Sequence, residues 1–176
     1  NNDNIIELKT GDRIGYNHLV LTNESSMLVE DYQFEYNPTS TIYFSSNLRV
    51  IDGSYIHLFP EEDLINNIAI ISNIALNYTR DDLSLFSISL KKKYKKETHE
   101  SLIRQKLVHY FGGSKSNYTF EKSFLINKGT IKQQVGFFDQ EKTFHGEFTV
   151  CGDYFENGSI EGATISGIKA YEQLKK

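Results

Sequence analysis

Short runs of aromatic and β-branched residues, separated by turn signals, recur along most of the chain. The sequence contains 12 Phe and 11 Tyr but only two Pro, and such side chains suit a pleated, half-buried sheet surface. The clearest run places Tyr32, Phe34 and Tyr36 on one face and polar residues on the other. Because a period of two alternates between faces, this pattern predicts a strand with one solvated side.

Two longer segments carry helical signals instead. Pro60 is followed by three acidic residues and then by apolar residues near helical spacing, which predicts a helix over residues 61–77. Within it, residues 68–71 are equally compatible with a buried strand. Thr98 as N-cap, an apolar stripe and the pair Gly112 and Gly113 predict a second helix over residues 98–111.

Turn and strand signals return in the last third of the chain. Residues 118–126 and 130–138 are predicted as strands joined by a hairpin turn at 127–129, and residues 143–155 as another strand. Residues 159–165 are predicted to return as a partner strand, and residues 168–174 to form a short terminal helix. Together these elements predict an α+β fold with mostly antiparallel sheet.

The chain of 176 residues is long enough for one domain with a sizeable core. No linker composition or internal repeat divides it, so a single domain over residues 1–176 is predicted. The chain starts at Asn1 without Met, which suggests that a leader was removed and that residues 1–4 form a flexible tether. Removal of a leader predicts a periplasmic or cell-surface location. A cytoplasmic location is the alternative, because the single cysteine, Cys151, excludes an internal disulfide but is compatible with either compartment.

Charge is distributed unevenly along the sequence. Residues 1–90 hold 13 acidic and 4 basic residues, whereas residues 91–176 hold 10 acidic and 15 basic. Such asymmetry can mark a surface for a charged partner. The predicted protein-binding residues are Glu24, Glu30, Asp31, Glu35, Glu61, Glu62, Asp63, Lys91, Lys92 and Lys93. The lysine run at residues 91–96 also suggests weak contact with anionic lipid. The acidic remainder of the chain argues against binding of nucleic acid.

The strand over residues 143–155 carries the only constellation that resembles a catalytic site. His145, Cys151 and two acids share one predicted polar face, which is the composition of a thiol-nucleophile site. However, six residues of strand separate His145 from Cys151 by about 20 Å, so the two cannot form a hydrogen-bonded pair. No spacing typical of a metal site and no phosphate-binding loop is present, and no catalytic residue, metal or cofactor is predicted.

These observations favour a non-enzymatic, extracytoplasmic protein-binding domain. The expected type is a periplasmic or lipoprotein-like immunity or inhibitor protein that neutralises a toxin or enzyme through a charged surface. One alternative is a hydrolase that uses Cys151 and a histidine. The other is the soluble domain of a membrane-anchored envelope complex.

Overall fold

A computed structural model describes residues 4–22, 34–50, 53–79, 83–136 and 148–175. It confirms an α+β fold with mostly antiparallel sheet. The chain divides into two compact units, which we call the first unit (residues 1–35 and 131–176) and the second unit (residues 36–130). The single-domain organisation stays a prediction. Of the predicted tether, Asn4 is described, and its carbonyl accepts a hydrogen bond from the Tyr16 amide at 3.0 Å.

The second unit is built on a five-stranded antiparallel sheet in the order β5-β6-β7-β4-β8. Its strands are β4 (Tyr36–Ser46), β5 (Ile56–Leu58), β6 (Ile65–Ile70), β7 (Ser84–Leu90) and β8 (Tyr118–Ile131). The pairing of β4 with β7 runs from Ser40 opposite Leu90 to Ser46 opposite Ser84. Strict alternation along β7 places Phe86 and Ile88 on its buried face, as the serine-apolar pattern of this segment predicts.

Helix α1 (Lys96–Phe111) covers the buried face of this sheet through Ile103 and Leu107. The predicted helix over residues 98–111 is therefore confirmed, and it begins two residues earlier than expected. Thr98 is not the N-cap, because its hydroxyl donates to the Lys95 carbonyl at 3.4 Å. The predicted end is correct: Gly112 follows the helix with a φ of 85°, a left-handed conformation that favours glycine.

The predicted helix over residues 61–77 is wrong, because this segment forms β6 followed by short 3₁₀ turns at Ile71–Asn73 and Leu76–Tyr78. A bulge between Ile65 and Asn67 shifts the register of β6 against β7. The extra residue brings both Ile65 and Ile68 to the buried face. Their spacing of three therefore imitates a helix, and the alternative of a buried strand at 68–71 was the better interpretation.

Glu62, at the turn before β6, ties this part of the chain to α1. Its carboxylate accepts hydrogen bonds from the Lys106 ammonium at 2.6 Å and from the Tyr110 hydroxyl. The hydrogen bond from Lys106, and then that from Tyr110, hold the pKa of Glu62 below its usual range. The hydrogen bond to Glu62 raises the pKa of Tyr110 to about 12.

These shifts predict a defined pH dependence of stability. A carboxyl whose pKa is lower in the folded protein stabilises it above the unfolded pKa, near 4.3, and that contribution is lost as the pH falls. The raised pKa of Tyr110 stabilises the fold below pH 10, and the contribution is lost as the pH rises toward 12. Glu62→Gln is expected to cost about 1 kcal/mol at pH 7 in urea unfolding.

The same substitution at the neighbouring Glu61, which is exposed, is the matched control and should change the unfolding free energy little. The difference between the two variants should shrink toward pH 3, as the Glu62 carboxylate takes up a proton. An undiminished difference at that pH would show that Glu62 acts through packing and not through its charge.

The first unit contains two small sheets and a helix. β1 (Ile5–Glu7) and β2 (Arg13–Gly15) form an antiparallel hairpin, whereas β3 (Leu19–Thr22) and β9 (Phe148–Cys151) pair in parallel. After β9 the chain passes through a 3₁₀ turn at Asp153–Phe155 and enters helix α2 (Ile160–Leu174). Helix α2 packs against β9 and against this turn.

Helix α2 corrects two predictions at the end of the chain. The predicted strand over residues 159–165 is helical, and the terminal helix begins at Ile160 and not at Ile168. Ser159 is the N-cap, since its hydroxyl accepts from the Gly162 amide. The buried face consists of Gly162, Ser166 and Ala170. These residues have helical spacing, but they are too small and too polar to be recognised as an apolar stripe.

The predicted hairpin turn at residues 127–129 is also wrong, because β8 runs through it as one strand of 14 residues. An added Cβ on Gly129 would lie 2.4 Å from the Thr39 hydroxyl oxygen. The glycine therefore serves close packing beside β4 and not a turn.

Candidate functional site

Of the residues predicted to bind a protein partner, the structure brings residues 61–63 and 91–93 together in the second unit, where Lys91 Nζ donates to the Glu62 carbonyl. Glu24, Glu30 and Asp31 lie outside the described residues. Glu35 belongs to the first unit, where its carboxylate accepts from Lys132 Nζ at 2.7 Å, and this hydrogen bond lowers its pKa. The other predicted residues belong to the second unit.

Within the second unit, Glu62 and Lys91 have structural partners. Lys91 Nζ donates to the carbonyls of Phe59 at 3.0 Å, Pro60 at 2.9 Å and Glu62 at 2.6 Å. It thereby fixes the turn that leads into β6. The remaining predicted residues are exposed: Glu61, Asp63, Lys92 and Lys93. A charged protein-binding surface on these residues stays a prediction.

Cys151 does not have the environment of a catalytic nucleophile. Its side chain is 7% exposed, and burial raises the pKa of the thiol, so the reactive thiolate is disfavoured. His145 lies outside the described residues. The described His18 ring in the first unit uses Nε2 for a 2.8 Å hydrogen bond with the Thr149 hydroxyl, not with the cysteine.

We therefore expect the Cys151 thiol to react slowly in the folded protein. Labelling with a thiol reagent at pH 8 should be at least about tenfold slower in buffer than in denaturing urea, because both exposure and ionisation are restricted. The unfolded protein is the control for reagent quality. Equal rates in the two conditions would contradict the buried environment.

The predicted polar face of the strand around Cys151 is buried at the described positions Thr149 and Cys151. Thr149, Val150 and Cys151 are all buried, although alternate residues point to opposite faces. Strands in parallel sheets are normally covered on both faces, and the pairing of β9 with β3 is parallel. The sequence pattern was interpreted for an antiparallel strand with one wet side, which explains the error.

The carboxyl end of β9 provides a different candidate site. Parallel strands bring their carboxyl ends to the same edge, so Thr22 of β3 lies opposite Cys151 of β9. Gly152 follows, and its amide donates to the Ser166 hydroxyl of α2 at 3.0 Å. An added Cβ on Gly152 would lie 2.3 Å from the Tyr154 ring, so only glycine fits between strand and turn.

Asp153 is the charged residue at this edge. Its side chain is half-buried, and no hydrogen bond or ion pair of its carboxylate is found among the described residues. A carboxylate accepts hydrogen bonds only, and hydroxyl groups are suitable donors. The position therefore suits a ligand that carries hydroxyls, such as the sugar part of a nucleotide.

The start of α2 supplies donors in the same unit. Ser159 accepts from the Gly162 amide at 3.0 Å and donates to Asn157 Oδ1 at 2.6 Å. The next two amides, of Ile160 and Glu161, belong to the first turn, where no intrahelical acceptor exists. Such amides bind phosphate oxygens, aided by the helix dipole. The carboxylate of Glu161 opposes this attraction, so the site suits one phosphate ester better than a cluster of phosphates.

Sequence reasoning did not identify this site. The available signal was Gly152 and Asp153 directly after a buried strand, followed by an N-cap serine and small residues at helical spacing. Among the described residues no group of three or more His, Cys, Asp or Glu side chains is arranged to hold a metal.

The described residues include no helix with the length and apolar character needed to cross a membrane. The periplasmic or cell-surface location and the protein partner stay predictions.

Comparison with known proteins identifies the fold through solved structures. No family profile and no curated protein matches the sequence. The PF1083 protein from Pyrococcus furiosus matches 98% of this chain with a TM-score of 0.69 and 11% identity. An oxidoreductase from Methanosarcina mazei matches 92%, with a TM-score of 0.67 and 11% identity. A protein assigned as a protoporphyrinogen oxidase, from Exiguobacterium sp. 255-15, matches 97%, with a TM-score of 0.67 and 12% identity.

These matches correct the predicted function. The prediction of a non-enzymatic immunity or inhibitor protein is wrong, because the structural neighbours include one protein described as an oxidoreductase and one assigned as an oxidase. The chain spans 43–44% of the length of each neighbour. It shares the fold of somewhat less than half of these larger proteins.

Proposed function

We propose that this chain is part of an oxidoreductase and that its first unit contacts a dinucleotide redox cofactor at the carboxyl ends of β3 and β9 and through the first amides of α2. The observation that carries the proposal is the carboxyl end of the parallel pair β3 and β9, where Gly152 contacts Ser166 of α2 and the Asp153 carboxylate has no partner among the described residues. The fold is shared with a Methanosarcina mazei oxidoreductase. In sheets with parallel strands, ligands bind outside the carboxyl ends of the strands.

The residues at this edge fit such a cofactor. Asp153 offers a carboxylate for ribose or ribityl hydroxyls, and the first amides of α2 offer donors for one phosphate oxygen. Gly152 allows close approach of strand and turn because no Cβ is present. A bound flavin or nicotinamide dinucleotide would supply the hydride chemistry, which amino-acid side chains do not provide.

The proposed reaction class is the oxidation or reduction of a substrate by the bound dinucleotide, which is wider than the reaction named for any one neighbour. Oxidation of a protoporphyrinogen, as assigned to the Exiguobacterium protein, is one reaction within the proposed class. The chain corresponds to less than half of the length of each neighbour, so this reaction is proposed only as an example of the class.

The proposal is tested by titrating the purified protein with flavin adenine dinucleotide and, separately, with NADH, followed by calorimetry. We expect one of the two to bind and Asp153→Ala to weaken that binding at least tenfold. A hydrogen bond between a charged and a neutral group is worth about 1.5–3 kcal/mol when its partner would otherwise be buried. Circular dichroism should show an unchanged fold for the variant.

Asp63→Ala is the matched control, because it removes one exposed carboxylate from the second unit. It should leave cofactor affinity unchanged. The proposal fails if neither dinucleotide binds the wild-type protein, or if Asp63→Ala weakens binding as much as Asp153→Ala.

A further inference from the structure

We propose that the outer edge of β8 is a docking surface for an extended, acidic segment of a partner protein, which adds to the sheet as a further strand. This surface lies in the second unit, and the inference does not depend on cofactor binding in the first unit. It rests on the position of β8, on the exposure of its apolar residues and on the charge around it.

Among the described residues, strand β8 ends the sheet on one side, next to β4. It has 14 residues, whereas β5 at the opposite edge has three. An edge strand presents unpaired backbone donors and acceptors, and proteins usually protect such edges by keeping them short or by placing proline in them. Strand β8 is long and contains no proline, so its backbone is suited to accept another strand.

Apolar side chains in the middle of β8 are exposed on both of its faces. The exposed fractions are 46% for Phe124, 50% for Leu125 and 55% for Ile126. Three consecutive exposed apolar residues are unusual unless they serve an interaction. Phe124 is held in position, because its ring meets that of Tyr43 edge to face at 5.9 Å between centroids.

Lysine ammonium groups lie over the aromatic rings along this strand. Lys122 Nζ is 4.9 Å from the centroid of Phe124, and Lys96 Nζ is 6.0 Å from that of Phe120. We call this pair of lysines, together with the exposed edge, the β8 docking surface. The one acidic residue of β8, Glu121, accepts a hydrogen bond from the Ser45 hydroxyl of β4.

The basic run at residues 91–96 reaches the same surface through Tyr94. Its ring stacks on that of Phe120, with centroids 6.2 Å apart and planes 10° apart. The Tyr94 amide donates to the Ser40 hydroxyl at 3.1 Å, which fixes the run beside β4. Lys92, Lys93 and Lys95 are exposed, so a partner strand on β8 would meet additional positive charge.

Charge complementarity selects an acidic segment over a second copy of this chain. If two copies of β8 paired antiparallel about Leu125, the exposed apolar residues would match, but Lys122 of each would face Lys128 of the other. Like charges directly opposite each other destabilise strand pairing. A segment that alternates acidic and β-branched residues would instead hydrogen-bond to the backbone of β8, cover its exposed apolar side chains and pair its carboxylates with the lysines.

The test uses a short synthetic peptide in which Glu and Val alternate, labelled with a fluorophore, and follows its polarisation with the full 176-residue chain. Three peptide controls separate the contributions: a Lys and Val peptide, a form with N-methylated backbone amides, and a scrambled form. We expect only the alternating acidic peptide with free amides to bind well, with an affinity that falls as salt rises.

On the protein, Lys96→Glu combined with Lys122→Glu should weaken binding of the acidic peptide about tenfold or more. Lys115→Glu combined with Lys175→Glu changes the charge equally at exposed positions elsewhere and should leave binding unchanged. If the double variant at β8 does not fold by circular dichroism, Lys122→Ala replaces it, with a smaller expected loss of about threefold.

Four results would overturn the proposal. The first is no binding of the acidic peptide, and the second is equal binding of the N-methylated peptide. The third is salt-sensitive binding of an oligonucleotide or of phosphatidylserine vesicles that depends on Lys122 while the peptide does not bind. The fourth is a dimer in sedimentation analysis that dissociates when Leu125 is replaced by Lys, which would assign the edge to a second copy.

Discussion

Phe86→Ala is expected to lower the free energy of unfolding by about 3–5 kcal/mol, among the largest losses that a single substitution in a core produces. Phe86 in β7 is fully buried. Its ring lies 5.2 Å from that of Phe111 and 5.7 Å from that of Tyr118. Truncation removes these contacts and leaves a cavity between sheet and helix that the backbone cannot fill.

The measurement is urea unfolding followed by far-UV circular dichroism, since the chain has no Trp to report by fluorescence. Phe124→Ala is the matched control: the same atoms are removed from a ring that is 46% exposed on β8. It should cost about 1 kcal/mol or less. Similar losses for the two variants would show that β7 is not at the centre of the core.

The part of the fold that the sequence predicted is the part whose signals are local. Helix α1 was predicted because large apolar residues follow a helical period and two glycines end it. Strand β7 likewise carries a local signal, because serine and apolar residues alternate along it. In both cases the buried residues are mostly apolar and the more exposed ones mostly polar, so the element can be predicted from its own residues without knowing what it packs against.

The errors arise where the environment depends on distant residues or on a local irregularity. The bulge in β6 gives two buried isoleucines a spacing of three, which is typical of helices. In α2, Gly162, Ser166 and Ala170 are buried because the helix approaches its neighbours closely, and small residues carry little hydrophobic signal. Neither effect can be inferred from composition or periodicity.

The candidate site shows the same limitation. Cys151 and the acidic residue Asp153 were interpreted as part of one solvated face, because nothing near them in the sequence indicates a parallel partner. That partner is β3, whose Leu19 pairs with Phe148 across most of the chain length. The meaning of Asp153 therefore depends on a long-range pairing that brings the carboxyl ends of two strands together.

Gly162→Ala is expected to destabilise the first unit by about 2–3 kcal/mol, opposite in sign to the usual effect of this substitution in a helix. Alanine normally stabilises a helix relative to glycine by about 1 kcal/mol. Here an added Cβ would lie 1.9 Å from the Asn157 carbonyl oxygen and 2.4 Å from its side-chain oxygen. Relieving this overlap requires movement of the backbone that leads into α2, at a cost typical of an overpacked core.

Gly167→Ala in the same helix is the matched control, because nothing lies within 4 Å of its added Cβ. It should raise the unfolding free energy by about 0.5–1 kcal/mol.

Both variants are compared by urea unfolding and by titration with the dinucleotide that the wild-type protein binds. Gly162→Ala displaces Asn157 and the cap at Ser159, so it should weaken dinucleotide binding as well as stability, whereas Gly167→Ala should leave binding unchanged. If both alanine variants were more stable than the wild-type protein, the close approach of Asn157 to α2 would be contradicted. If Gly162→Ala were less stable but bound the dinucleotide with unchanged affinity, the start of α2 would not take part in the proposed cofactor contact.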